Sequence, residues 1–179
     1  MVRLKKLILK NFKSFKKAEI PITEGFSVVA GSNGSGKTNI LDSLMFVLGA
    51  SSLKSLRASK LTDLVNNDST ENYAKVELLL NNDGEDFEIS RMVDKQGKSV
   101  FRMNSEKKTM NEVRSFLYEL GIRADGHNIV VQGDIIRMVQ HLVLQKILIR
   151  EGAFTVLRVT ESGHIVDILV LMMLFLKIS

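Results

Sequence analysis

Apolar and charged residues interleave at the start of the chain: Val2, Leu4, Leu7, Ile8 and Leu9 are broken up by Arg3, Lys5, Lys6 and Lys10. This texture predicts a strand over residues 2–10. Phe26-Ser27-Val28-Val29-Ala30, apolar apart from Ser27, predicts a second, short strand. It runs into the glycine-rich stretch Gly31-Ser32-Asn33-Gly34-Ser35-Gly36-Lys37-Thr38. Beyond it, Ile40, Leu41, Leu44, Met45, Val47 and Leu48 fall at helical spacing, and Gly49 stands where a helix stop is expected.

From Tyr73 to Asn104 the period changes. Residues 76–80, 87–93 and 99–103 read as three strands, with Asn82-Asp83-Gly84 and Asp94-Lys95-Gln96-Gly97 as the turns between them. The expected arrangement is an antiparallel meander. Thr109-Met110-Asn111-Glu112 has the pattern of a capping box, in which the threonine accepts from the backbone and the glutamate reaches back. Met110, Val113, Phe116, Leu117 and Leu120 then share one apolar face, and Gly121 closes it. Ile129-Val130-Val131 predicts one more short strand, ended by Gln132-Gly133-Asp134. No internal repeat is present, and the single proline, Pro21, marks no linker.

At 179 residues the chain can build one α/β domain with a core, but not two large ones. Without cysteine, disulfides and thiolate metal sites are excluded, which is consistent with a reducing cytoplasm. His127, His141 and His164 have no spacing that suits a metal site. The formal charge of +5 allows a polyanionic partner without requiring one. The longest apolar run, 168–176, is far short of the roughly 20 residues needed to cross a bilayer, and no membrane partner is expected.

Gly31, Gly36, Lys37 and Thr38 satisfy the phosphate-loop pattern G-x-x-x-x-G-K-[ST]. The glycines allow a backbone path that turns N–H groups toward phosphate oxygens, and the following helix points its positive end at the same anion. Lys37 suits the β- and γ-phosphates, and the Thr38 hydroxyl suits one Mg²⁺ position. A chance match in a glycine-rich turn is disfavoured by the placement between an apolar strand and an amphipathic helix. Four further positions stay open on the residues alone. Gln132 is either a Mg²⁺ and water contact or an ordinary turn residue. Lys13 and Ser14 either approach a phosphate or are solvated surface. Arg57, in Leu56-Arg57-Ala58-Ser59, either adds positive charge or does nothing of the kind.

Several segments together carry a resemblance: Leu9-Lys10-Asn11-Phe12-Lys13-Ser14-Phe15, the loop 31–38 with Asn39-Ile40-Leu41-Asp42-Ser43, Phe46-Val47-Leu48-Gly49, Leu56-Arg57-Ala58-Ser59 and the segment 128–134. Over residues 1–139 the chain resembles the N-terminal part of the ABC-type ATPase head of SMC (structural maintenance of chromosomes) proteins, of prokaryotic and by preference archaeal type. The resemblance implies a P-loop α/β half-head with an antiparallel lobe, and ATP and Mg²⁺ as cofactors. It gives Lys37 and Thr38 the Walker A roles and Gln132 the Q-loop contact to magnesium and water. Lys13 and Ser14 match the strand-end pair near the phosphates, and Arg57 matches the arginine associated with DNA-stimulated activity. It further implies a chromosome condensation and segregation ATPase, cytoplasmic and nucleoid-associated. Its implied partners are DNA, a complementary C-terminal half-head, a second head in a homodimer, and kleisin-type subunits. Arg3, Lys5, Lys6, Lys10, Lys13, Lys16 and Lys17 are candidate contacts to a phosphate backbone; the alternative is a charged outer strand that keeps an edge soluble.

The chain also departs from the family. After residue 139 a mostly apolar tail replaces the expected charged heptads. The expectation is therefore two regions: 1–139 as the head lobe, and 140–179 as an atypical tail produced by a frameshift or truncation. The competing reading is an authentic tail of strands, with Glu161-Ser162-Gly163-His164 as a turn. The signature segment, Walker B aspartate and catalytic glutamate are not found, so no turnover is expected of this chain alone. A related RecN- or RecF-type repair ATPase and a non-catalytic remnant are the alternatives.

Overall fold

The computed structural model describes residues 2–122 apart from 25, 26 and 51, together with the backbone of 158–159 and 165–167. Six strands form one antiparallel sheet: β1 (Val2–Phe12), β2 (Phe15–Pro21), β3 (Tyr73–Asn82), β4 (Glu85–Asp94), β5 (Ser99–Met103) and β6 (Glu106–Lys108). Their spatial order is β2-β1-β3-β4-β5-β6. The meander expected from the sequence is the β3-β4-β5 portion. β1 joins it from the far end of the chain and carries β2 outward.

β1 is interior, paired with β2 on one side and β3 on the other, so it is not the charged outer strand that its lysines allowed. Its buried residues change phase partway. Val2 and Leu4 are buried at even positions, then Leu7 and Leu9 at odd ones. A register irregularity against β3 between Leu4 and Lys6 causes the change. An extra residue in one strand inverts the inward face beyond it. On β3 the alternation is strict, with Ala74, Val76, Leu78 and Leu80 all buried.

Helix α1 (Lys37–Val47) and helix α2 (Met110–Glu119) cover the same face of the sheet. Successive β4 side chains alternate sides, so Phe87, Ile89, Arg91 and Val93 share a face. Phe116 of α2 packs on Phe87 at 5.1 Å between ring centroids. Phe46 of α1 lies 4.3 Å from the Arg91 guanidinium, and also packs on Phe12 at 5.5 Å. Both helices end in the same pair of hydrogen bonds. Ala50 N–H donates to Met45 O and Gly49 N–H to Phe46 O, while Ile122 N–H donates to Leu117 O and Gly121 N–H to Tyr118 O.

The capping box of α2 forms as expected. The Thr109 N–H and hydroxyl both donate to Glu112 Oε2 (2.7 and 2.6 Å), and Glu112 N–H donates back to Thr109 Oγ1 at 3.2 Å. The hydroxyl, followed by the amide, holds the Glu112 carboxyl below the ordinary glutamate range. A depressed folded value means that this stabilisation is complete above the ordinary glutamate pKa and is lost as pH falls through the folded value. Thermal melts from pH 7 to the acid limit should show Glu112→Gln lacking that part of the wild-type acid loss. Identical pH slopes would count against it.

One expected element is absent. Residues 27–30 form no strand, and Val28 and Val29 are 50% and 46% exposed. The physical reason is that no described strand offers them a ladder partner. Both sides of β1 are taken, the sheet edges are β2 and β6, and no described strand lies alongside 27–30. β2 and β6, which the pattern did not predict, are the two edges. Ile129–Val131 and Gln132 lie outside the described residues, as does most of 140–179. Within that tail the backbone of β7 (Arg158–Val159) pairs antiparallel with β8 (Ile165–Asp167).

Candidate phosphate-binding site

The loop Gly31–Ser35 is exposed to solvent and leads directly into α1. Its curl is closed by the Ser35 N–H donating to Ser32 O at 3.2 Å. Gly36 caps the helix at φ 91°, a left-handed conformation that costs any other residue strain. Space there is limited as well. A Cβ on Gly36 would stand 2.9 Å from Ser14 Oγ and 3.0 Å from the Phe15 ring. The requirement for glycine is therefore both conformational and steric, and it arises because the β1–β2 turn presses on the loop.

No side chain caps the N-terminus of α1, and its first turn holds no acid. Its first amides thus face the loop with a positive partial charge and no carboxylate beside them. Lys37 folds back over the loop and donates to Gly31 O at 2.6 Å and Ser32 O at 2.9 Å. Its ammonium is thereby held inside the curl. Thr38 follows in the same half-buried turn. A solvent-open bend, an uncapped helix end and an inward ammonium form a cradle for phosphate oxygens. For a divalent cation the described part offers the Thr38 hydroxyl. Gln132, the other expected ligand, lies outside the described residues, and among the described residues no group of three or more histidine, aspartate or glutamate side chains is placed to hold a metal.

Ser14, Lys13 and Arg57 all reach α1. Ser14 Oγ accepts from Asn39 Nδ2 at 2.8 Å, which ties the β1–β2 turn to the first turn of α1. The Lys13 ammonium donates to Asp42 Oδ2 and, at 2.6 Å, to Leu56 O. Arg57 Nη2 donates to the same Asp42 oxygen at 2.7 Å. Sequence reasoning missed Asp42. An acid among Ile40, Leu41, Leu44 and Met45, on the apolar side of a helix, was the available signal, because a buried acid needs a partner.

The basic residues of the opening strands are mostly neutralised. Arg3 pairs with Glu24, Lys5 with Asp86, Lys6 and Lys17 with Glu19, and Lys10 with Glu71. Carboxylates interspersed in this way reduce the attraction these lysines and the arginine exert on a polyanion. Among the described residues, no helix is long and apolar enough to cross a membrane.

Comparison with known families matches residues 3–151 to the RecF/RecN/SMC N terminal domain. The chromosome partition protein Smc of Pyrococcus furiosus is 38% identical over 162 residues, covering 83% of this chain. The chain spans only 14% of that relative's length. A solved structure from work on ATP-driven dimerization and DNA stimulated activation of SMC ATPases superposes with a TM-score of 0.73 at 38% identity, covering 80% of this chain and 94% of that one. The Smc head domain of Pyrococcus furiosus with an extended coiled coil, bound to the C-terminal domain of ScpA, also gives a TM-score of 0.73 at 38% identity. That match covers 78% of this chain and 38% of the other.

Proposed function

The chain belongs to the RecF/RecN/SMC N-terminal domain family, homologous to the N-terminal head of Smc chromosome partition proteins, and on that premise we propose that it is the ATP-binding half of an SMC-type head. The observation that carries this reading is the uncapped, left-handed Gly36 at the start of α1, with Lys37 held inside the loop. Loop amides and the helix end bind phosphate oxygens, and Lys37 exchanges its carbonyl partners for the β- and γ-phosphates. Thr38 offers its hydroxyl to Mg²⁺, with Gln132 as the second protein ligand. Mg²⁺, when bound, neutralises phosphate charge. Arg57, close by on Asp42, is a further cation for the phosphates.

Hydrolysis needs a base, and the described residues around the loop do not offer one. Asp42, the buried acid of α1, is committed to two cations and so is unsuited to take a proton from water. The carboxylate comes instead from a complementary half-head. Segment 27–30 supports that partner: its exposed valines, outside any described strand, become a strand once neighbouring strands are supplied. Two completed heads then dimerise around ATP, a kleisin-type subunit of the ScpA kind binds the head, and DNA acts on the assembly.

Calorimetric titration of the chain with ATP, with and without Mg²⁺, tests this reading. Clean binding without turnover is expected, with tighter binding in Mg²⁺. No heat and no rise in melting temperature would instead support a non-binding remnant.

A further inference from the structure

One carboxylate oxygen, Asp42 Oδ2, accepts from two cations of different standing. Lys13 is fixed. Its side chain is 11% exposed, its ammonium also donates to Leu56 O, its amide donates to Leu64 O at 2.8 Å, and its carbonyl accepts from Asn66 Nδ2. Arg57 is looser. Its side chain is 40% exposed, and Asp42 is the one acceptor its guanidinium meets among the described residues. Asp42 itself is 3% exposed.

We propose that Asp42 is a parking carboxylate, holding Arg57 beside the phosphate loop and yielding it to an arriving phosphate while Lys13 stays behind. This rests on the nucleotide-binding reading given above. In an ordinary buried pair, removing one partner strands a charge in low dielectric, at heavy cost. Here the trio carries one positive charge in excess, and Lys13 alone keeps Asp42 paired. Arg57 is thus the exchangeable partner, and a phosphate offers its guanidinium a two-point acceptor that a shared carboxylate oxygen does not. Asp42 and the loop share one helix. Asp42 lies five residues beyond Lys37, roughly 7.5 Å along the helix axis. Ser14, next to Lys13, already touches the loop through Asn39.

The parked state is a competitor of the nucleotide. Arg57 is available only in the fraction of molecules where it has left Asp42, which weakens apparent binding by that fraction. Asp42 is accordingly a positioning residue whose loss tightens binding, the opposite of what a purely structural acid predicts.

The test is nuclear magnetic resonance of arginine side chains in the full chain, titrated with Mg²⁺ and a non-hydrolysable ATP analogue. Calorimetry on the same samples establishes occupancy. The Arg57 Nε signal, identified by its loss in Arg57→Ala, should shift on saturation. In Asp42→Asn it should start near the position of a free arginine and move to the wild-type bound position, with binding about 3- to 10-fold tighter. Full occupancy with the wild-type Arg57 signal unmoved would overturn the proposal alone. So would a folded Asp42→Asn that binds no more tightly than wild type. Absence of binding heat in the wild type would overturn the nucleotide reading and this proposal with it. The wild-type arm needs only Arg57→Ala, in which Asp42 keeps Lys13, so misfolding of Asp42→Asn does not remove the decisive comparison.

Discussion

Lys37→Ala is expected to weaken binding of Mg²⁺-ATP by about 100-fold while leaving the melting temperature of the free chain nearly unchanged. Charge-assisted hydrogen bonds contribute roughly 1.5–3 kcal/mol each, and about 2.7 kcal/mol is a hundredfold in affinity. The two effects separate because of where the lysine sits. Its present partners, Gly31 O and Ser32 O, belong to a solvent-exposed loop. Water can take both carbonyls when the ammonium is gone, so the substitution strands no buried group. Calorimetry and thermal melts on the same preparation check both halves. Undiminished affinity would remove Lys37 from the site, and a large loss of stability would make it a structural residue instead.

The largest expected stability effect lies at the other end of α1. Arg91 is buried, lies between the Phe46 and Phe101 rings at 4.3 and 4.7 Å, and faces no carboxylate in these contacts. It donates to Phe46 O at 3.0 Å, Ala50 O at 3.5 Å and Ser99 Oγ at 2.9 Å. Burial pulls its guanidinium down to about 10. It therefore stays charged at neutral pH, and its desolvation cost is present below about pH 10 and relieved only as pH rises above that value. Two ring faces and three acceptors offset this cost. Arg91→Ala removes all of them and opens a cavity beneath the phosphate-loop helix. A loss of about 3 kcal/mol, and a fall in melting temperature of roughly 10 °C, are expected. Arg91→Met, which keeps the bulk and drops the charge, should lose less. Denaturant melts decide, and a change in Arg91→Ala below about 0.5 kcal/mol would place it among ordinary surface substitutions.

What the sequence made legible was local. The capping box at Thr109, the glycine stops at 49 and 121, the Asn82-Asp83-Gly84 turn and the phosphate loop all act within a few residues, and all are found where expected. Residues 26–30 misled for the same reason. An apolar run reports what a segment can do, whereas strand formation depends on a neighbour elsewhere in the chain or outside it. β2 was missed because Lys16, Lys17 and Glu19 dominate an edge strand whose pairing depends on β1. At the site, the phosphate loop was readable as a motif. The joining of residues 13, 42 and 57 on one carboxylate is a tertiary event that spacing along the chain does not encode.

The phase change in β1 bears on how this lobe tolerates alteration. Lys5 and Lys6 act together as a spacer between two hydrophobic dyads, Val2 with Leu4 and Leu7 with Leu9. Shortening the spacer by one residue would place all four on a single alternation, which the strand could pair without the irregularity. Number and chemistry at these two positions are therefore both free within limits: natural variants should exchange those lysines for other polar residues, or lose one together with the irregularity.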